Sequence, residues 1–194
     1  VRMGEYSVQG LQEAMQHINT YDKKHVNTVA QIEEAINNLD QKTTEYLVSI
    51  SKQSLSGPNS KFHNALLENI RDIERIGDHV ENLVELTDFM ENNRSKLSTE
   101  AKQELNEMLE LVVETVSLAI QSLDQLDVEA AKQVLANEDK IDDLERKLRK
   151  HHIARLNNGT CAGSACVIFV DIISNLERVG DHAANIAESV IETK

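Results

Sequence analysis

The sequence predicts an all-α protein built from six long helices. Leu, Ala, Glu, Gln and Lys are abundant among the 194 residues, and all five are good helix formers. Only 3% of the residues are aromatic, and Pro58 is the single proline, so strand-favouring residues and helix breakers are both scarce. Apolar residues also recur at spacings of three and four along most of the chain, which is the period of an amphipathic helix.

The first half of the chain reads as three helices. The segment "SLSGPNS" (54–60) predicts a loop between the second and third of them, and the third runs out near "ENNRSKLS" (91–98). The apolar positions that define these helices are Leu11, Ala14, Met15 and Ile18 in the first, Val26, Val29, Ile32, Ile36 and Leu39 in the second, and Leu66, Ile70, Ile73, Val80, Leu83 and Val84 in the third.

The second half repeats this plan. A shift of 105 positions superposes Ile36 on Ile141, and after the loop "LNNGTCAGS" (156–164) a shift of 103 superposes Glu74 on Glu177. We therefore predict two tandem antiparallel three-helix bundles, similar to spectrin repeats, over residues 1–95 and 96–194. Helices of about 30 residues would be about 45 Å long, so the molecule should be elongated.

Charge and composition exclude several classes of function. A formal net charge of −13 disfavours nucleic acid and anionic membranes as partners. The longest uncharged run, residues 156–170, is too short to span a bilayer, so we predict no transmembrane segment. Cys161 and Cys166 are read as reduced thiols in a cytosolic protein, and the start at Val1 suggests a fragment cut from a longer chain.

One motif occurs in both halves. "DIERIGDH" (72–79) and "NLERVGDH" (175–182) each place a glutamate and an aspartate four positions apart on one helix face, where like charges repel. Two arrangements would relieve this repulsion. The acids either form ordinary salt bridges, for example with Arg75 and Arg178, or they hold a metal cation together with oxygen ligands from a neighbouring helix.

The second helix of each half supplies candidates for those further ligands. Glu138 and Asp142 border the apolar stripe of the fifth predicted helix, and Glu33 and Asn37 occupy the matching places in the second. Carboxylates that converge from two helices without a cation would be costly, which favours a divalent or multinuclear metal site.

The motif also contains a glycine and a histidine. A glycine inside a helix costs about 1 kcal/mol relative to alanine, so Gly77 and Gly180 indicate a ligand or a closely packed neighbouring helix. For His79 and His182, exposure to solvent is the commoner expectation, with support of a ligand or contact to phosphate as alternatives.

The sequence gives little support for catalysis. It lacks the Glu-x-x-His pairs of oxygen-activating di-iron bundles, a nucleophile elbow and a glycine-rich phosphate loop. A histidine phosphotransfer bundle would need one distinguished histidine, and nothing separates one of the seven from the others. We therefore predict a protein that is not an enzyme.

The doubled ERxGDH motif, "NEDKIDDLE" (137–145) and the early "MGE" (3–5) closely resemble the PhoU family of phosphate-signalling proteins over the whole chain. This resemblance implies tandem three-helix bundles whose ExxxD motifs hold iron or zinc clusters at the bundle surface. The positions that it assigns to metal are Glu74, Asp78, Glu177 and Asp181 in the motifs, with Glu138 and Asp142 on the middle helix of the second repeat. Glu33, which matches Glu138 in the first repeat, completes the set of predicted ligands. Asn37 departs from this pattern, because it stands where the second repeat has Asp142.

Within the family, "YLVSISKQSLSG" (46–57) looks most like the cytoplasmic PhoU-like tail of bacterial sodium/phosphate cotransporter-related proteins. The resemblance implies a regulatory domain at the cytoplasmic face of the inner membrane, in contact with the membrane domain of a phosphate transporter in the same chain or in another. Self-association is a further expectation. The alternative function is a metal-dependent enzyme that acts on a phosphorylated substrate.

Overall fold

The computed structural model describes residues 1–51, 57–159 and 163–193. Within these ranges the chain forms six helices and no strand, which confirms the predicted fold class. Cys161 and the side chain of Cys166 lie outside the described part of the chain, and so does the prediction that both are reduced thiols. The helices are α1 (Arg2–Thr20), α2 (Lys23–Ser51), α3 (Pro58–Asn92), α4 (Thr99–Gln125), α5 (Val128–Asn157) and α6 (Gly163–Thr193).

Equivalent tight turns follow the first helix of each repeat. Tyr21 ends α1 and Leu126 ends α4, both in the left-handed backbone conformation, with φ of 56° and 51°. After the second turn, the side chain of Asp127 caps α5 by accepting a hydrogen bond from the backbone N–H of Glu129 at 2.9 Å. Because the turns are so short, α1 folds back on α2 and α4 folds back on α5.

The two motif glycines allow close packing between helices. An added Cβ on Gly77 would lie 3.2 Å from Cδ1 of Ile36, and one on Gly180 would lie 3.2 Å from Cδ1 of Ile141. The isoleucines are buried and occupy equivalent positions on α2 and α5. Of the two explanations that the sequence left open for these glycines, the structure therefore shows the contact with a neighbouring helix.

The packing at Gly77 gives a test of this explanation. We expect Gly77→Ala to lower the free energy of unfolding by about 1 kcal/mol, because the added methyl crowds Ile36. In an Ile36→Val background, which lacks the nearest atom, the alanine should instead stabilise the chain through its better helix propensity. Urea denaturation of the four proteins measures this coupling, and an equal effect of the alanine in both backgrounds would contradict it.

The two repeats pack against each other along their lengths. α3 contacts α6 and α1 contacts α4, and the buried apolar side chains of both repeats form one continuous core. An added Cβ on Gly4 of α1 would lie 2.4 Å from Cδ1 of Ile120 on α4, so this second pair of helices is also in close contact. The division at residues 95 and 96 falls in the connection between α3 and α4, and whether each repeat is an independent unit stays a prediction.

None of the described helices combines the length and the apolar character needed to cross a membrane.

Candidate metal centre

Three carboxylates converge on the surface of the second repeat. Glu138 and Asp142 lie one turn apart on α5, and Asp181 faces them from α6. One oxygen atom of each lies within 4.8 Å of the others. Within residues 1–51, 57–159 and 163–193, this is the one group of three or more potential metal-ligating side chains with this spacing.

The helix packing explains why these carboxylates meet. Asp142 follows Ile141, and Asp181 follows Gly180, and these two preceding residues are in contact between α5 and α6. The close approach that glycine permits therefore also brings the two aspartates together at the edge of the core. Glu138 joins them because a spacing of four residues places it on the same face of α5.

The local environment opposes ionisation of these acids. Burial and the neighbouring Asp142 and Asp181 raise the pKa of Glu138, and burial together with Asp142 raises the pKa of Asp181. Glu177, one turn before Asp181 on α6, also has a raised pKa, because of burial and the charges of Asp181 and Asp142. The described acids are thus crowded negative groups whose charge a bound cation would stabilise.

Arginines neutralise the outer side of this cluster in part. Arg146 donates to Asp142 at 3.2 Å and to the exposed Asp143 at 2.8 Å. Arg149 donates to Glu145 and, at 2.9 Å, to the hydroxyl of Ser174 on α6. Of the three converging carboxylates, Asp142 is the one that pairs with Arg146. Within the described residues, the oxygens of Glu138 and Asp181 are not engaged in an ion pair.

The first repeat arranges its acids differently. Arg75 lies 3.7 Å from Glu74 and 3.1 Å from Asp78, so the motif arginine forms the salt-bridged face that was one of the two predicted arrangements. Glu33 accepts a hydrogen bond from Asn37 on its own helix. Burial, followed by the charges of Asp78, Asp40 and Glu33, raises the pKa of Glu74. These acids are close to one another, but no three-carboxylate cluster forms among the described residues of this repeat.

The motif histidines lie between the repeats and are half-buried, in contrast to the expected solvent exposure. Their rings stack at a centroid distance of 5.6 Å. His79 Nδ1 donates to Asn175 Oδ1, and His182 Nδ1 donates to Asp72 Oδ1, each at 2.8 Å. Asp72 and Asn175 are the first residues of the two repeated stretches, so each motif binds the histidine of the other.

The ligand set of the second repeat consists of carboxylate oxygens alone. Oxygen ligands suit hard cations such as Mg²⁺ and Mn²⁺ and also suit iron, whereas structural zinc is usually held by nitrogen and sulfur. The residues present therefore fit an oxygen-preferring divalent cation, held by Glu138, Asp142 and Asp181 with Glu177 beside them.

Comparison with known proteins identifies relatives over nearly the whole chain. The family model described as "PhoU domain" matches residues 1–87 and 105–190. The chain is 27% identical over 184 residues to a phosphate-specific transport system accessory protein PhoU homolog 1 from Thermotoga maritima, covering 94% of this chain and 78% of the relative. It is 28% identical over 194 residues to a PhoU homolog of the same description from Xylella fastidiosa strain 9a5c, covering 98% and 80%.

Solved structures share the fold. The chain superposes on the crystal structure of PhoU from Pseudomonas aeruginosa with a TM-score of 0.92 at 21% sequence identity, covering 99% of this chain and 91% of the other. The phosphate transport system regulatory protein PhoU from Streptococcus pneumoniae gives a TM-score of 0.87 at 19% identity, with coverages of 98% and 89%. The match of the family model to two segments that together span most of both repeats, added to this likeness of fold, establishes that the chain belongs to the PhoU family.

Proposed function

We propose that this chain is a non-enzymatic regulator of phosphate transport that limits phosphate uptake through contacts with a transporter. The observation that carries this proposal is the match to the PhoU family over residues 1–87 and 105–190, together with relatives described as accessory proteins of a phosphate-specific transport system. The architecture is consistent with this role, because paired helical bundles offer long surfaces for protein contacts.

The chain could contact the transporter in either of two arrangements, within one polypeptide or as a separate polypeptide. Similarity of residues 46–57 to the tails of sodium/phosphate cotransporter-related proteins favours attachment to the membrane domain within one polypeptide, at the cytoplasmic face of the inner membrane. The description of the relatives as accessory proteins favours a separate polypeptide. Immunoblotting of native cell extracts with an antibody against this chain distinguishes the two, because attachment to a membrane domain would greatly increase the polypeptide's mass.

A bound cation is the second part of the proposal. Glu138, Asp142 and Asp181 would hold an oxygen-preferring divalent cation, with iron as one candidate, and that cation would cross-link α5 to α6. The raised pKa values of Glu138 and Asp181 are consistent with this role, because burial and then the neighbouring carboxylates oppose ionisation, and a bound cation would favour the ionised forms. In the first repeat Arg75 pairs with both motif acids, Glu74 and Asp78, whereas in the second repeat an arginine pairs with only one of the three converging carboxylates, which favours the second repeat as the cation site.

The regulatory proposal predicts a change in phosphate transport. Cells that lack this chain should take up radiolabelled phosphate faster than the parent strain under phosphate-replete conditions, and expression of the intact chain should restore the lower rate. An unchanged uptake rate would contradict the proposal.

The enzymatic alternative is tested separately by turnover of p-nitrophenyl phosphate with cation-loaded protein. Turnover that Asp181→Asn abolishes would replace the regulatory function with a catalytic one.

A further inference from the structure

A hollow lies where the first repeat connects to the second. It has a volume of about 640 Å³ and is bordered by Tyr21 after α1, Glu91 near the end of α3, the connecting residues 94–97, and Lys102 on α4. Because these groups come from both repeats, a molecule bound here would contact both. The volume is within the range of about 300–1,000 Å³ that is usual for sites that bind small molecules.

Positive charge is concentrated around this hollow, although the chain as a whole is acidic. Arg94, Lys96 and Lys102 border it, and among the described residues none of these three forms an ion pair with a carboxylate. The one acid on the border is Glu91, which already lies 3.5 Å from the ammonium group of Lys23. The hollow therefore has an excess of positive charge in a protein whose net charge is −13.

The surrounding backbone fixes the positions from which Arg94 and Lys96 extend. The connection between α3 and α4 is folded into a compact turn, in which Arg94 has φ of 50° and its N–H donates to the carbonyl of Glu91 at 2.9 Å. The N–H of Ser95 donates to the carbonyl of Met90 at 2.9 Å, and the side chain of Leu97 is buried as an apolar anchor. These contacts fix the path of the chain that carries Arg94 and Lys96.

Tyr21 adds an aromatic wall and a polar group. Its ring lies 5.3 Å from the ammonium group of Lys102, which holds that cation beside the hollow. The Tyr21 phenol is protonated at neutral pH, as any ordinary tyrosine is, and can donate a hydrogen bond; burial and the charge of Glu91 raise its pKa further. The equivalent position in the second repeat is Leu126, so this combination is particular to the junction.

We propose that this hollow binds a phosphate-bearing anion through Arg94, Lys96 and Lys102, with the ring of Tyr21 against its uncharged part. A phosphate group has one negative charge as a diester and nearly two as a monoester near neutral pH, together with several acceptor oxygens, and it is well suited to a cluster of arginine and lysine. The same chemistry occurs in free phosphorylated small molecules and in lipid headgroups. This inference is independent of the proposed cation site, because the hollow shares no residue with Glu138, Asp142 and Asp181.

The test uses the full chain, freed of metal with EDTA so that anions cannot bind through a cation elsewhere. Isothermal titration calorimetry with ADP and with pyrophosphate examines free phosphorylated ligands, and co-sedimentation with phosphatidylglycerol vesicles examines a lipid headgroup. Phosphatidylcholine vesicles, which have no net charge, are the reference. We expect binding in at least one of these arms, weakened by added salt because screening reduces the attraction.

Charge reversal locates the site. The double substitution Lys96→Glu and Lys102→Glu should weaken the binding by about tenfold or more, because two attractive charges become repulsive. The matched control is Lys42→Glu with Lys132→Glu, which makes the same change in net charge at exposed lysines outside the hollow. The control should bind as the unaltered chain does, and circular dichroism should show that both variants keep their helices.

Each outcome bears on the proposal. Binding of ADP or pyrophosphate that the Lys96/Lys102 variant loses supports a free ligand, and the same loss with phosphatidylglycerol vesicles alone supports a lipid headgroup. Absence of binding in every arm, or an equal loss in the control variant, would overturn the proposal. Asp181→Asn should leave this binding unchanged, so a failure of the cation proposal is distinguishable from a failure of this one.

Discussion

Replacing Asp181 with asparagine should stabilise the metal-free chain and abolish its response to a divalent cation. In the metal-free state Asp181 adds one negative charge to a crowded cluster, and burial and Asp142 raise its pKa. Removing that charge should therefore increase the free energy of unfolding by a few tenths of a kcal/mol at neutral pH, a small effect because solvent screens this exposed group. In the presence of a cation the sign should reverse, because the variant has lost a ligand.

The size of the cation effect follows from mass action. A cation present at one hundred times its dissociation constant should stabilise the unaltered chain by about 2.7 kcal/mol, and most of this should be absent in the Asp181→Asn variant. Thermal unfolding with and without Mn²⁺ or Fe²⁺ measures the difference, and elemental analysis of the purified proteins measures the bound metal. Equal metal content and equal stabilisation in the two proteins would remove Asp181 from the site.

The pH dependence has a defined direction. The folded-state pKa values of Glu138 and Asp181 are raised, so protonation is more favourable in the folded than in the unfolded chain. The destabilising charge repulsion is fully present above the folded-state pKa values and is lost as the pH falls through them. The advantage of Asp181→Asn in the metal-free state should accordingly disappear over the same acidic interval, and protons should displace the cation there.

The equivalent residue of the first repeat is the matched control. Asp78 pairs with Arg75 at 3.1 Å and does not belong to a three-carboxylate cluster within the described residues. We therefore expect Asp78→Asn to leave most of the cation response unchanged. A loss of the response as large as that caused by Asp181→Asn would show that the two repeats bind metal together.

Phe169→Ala should cause the largest loss of stability. Phe169 is fully buried on α6, stacks on His152 at a centroid distance of 4.8 Å, and lies beneath the guanidinium of Arg155 at 5.4 Å. Truncation removes the ring from a packed core and leaves a cavity, which typically costs about 3–5 kcal/mol. Urea denaturation of the metal-free protein, followed by circular dichroism, measures the change.

A second phenylalanine provides the control for this truncation. The side chain of Phe89 on α3 is 57% exposed, so Phe89→Ala should change the free energy of unfolding by no more than about 0.5 kcal/mol. Similar losses in the two variants would contradict the assignment of Phe169 to the core. Because Phe169 helps to hold α6 against α5, its truncation should also weaken binding of a cation that needs ligands from both helices.

The six helices and the convergence of acids from α5 and α6 were predictable, because their signals in the sequence are local or repeated. The spacing of apolar residues specified six helices, and the shifts of 105 and 103 residues matched Ile36 with Ile141 and Gly77 with Gly180. The i, i+4 acids on α5 and α6 were predicted to meet across a helix pair, and Glu138, Asp142 and Asp181 do so. Whether they bind metal stays a prediction.

The remaining features depend on how the repeats pack, which no local pattern specifies. The contact of His79 with His182 depends on the packing of α3 against α6, which run antiparallel, as the pairs Asn69–Ser189 and His79–Asn175 show, and each helix alone is compatible with an exposed histidine. The basic hollow was missed because the net charge of the whole chain conceals a local excess of the opposite sign.

The reciprocal histidine contacts make a single polypeptide resemble a homodimer with an approximate two-fold axis between His79 and His182. The connection between the repeats lies at one end and breaks this symmetry. A difference in charge also breaks it, because Asn37 stands where the second repeat has Asp142. A symmetric dimeric partner would thus meet two similar surfaces that differ in charge. Unlike a true homodimer, the molecule has a direction, because turning it by half a revolution exchanges the face that carries Glu138, Asp142 and Asp181 for the face on which Arg75 pairs with Asp78.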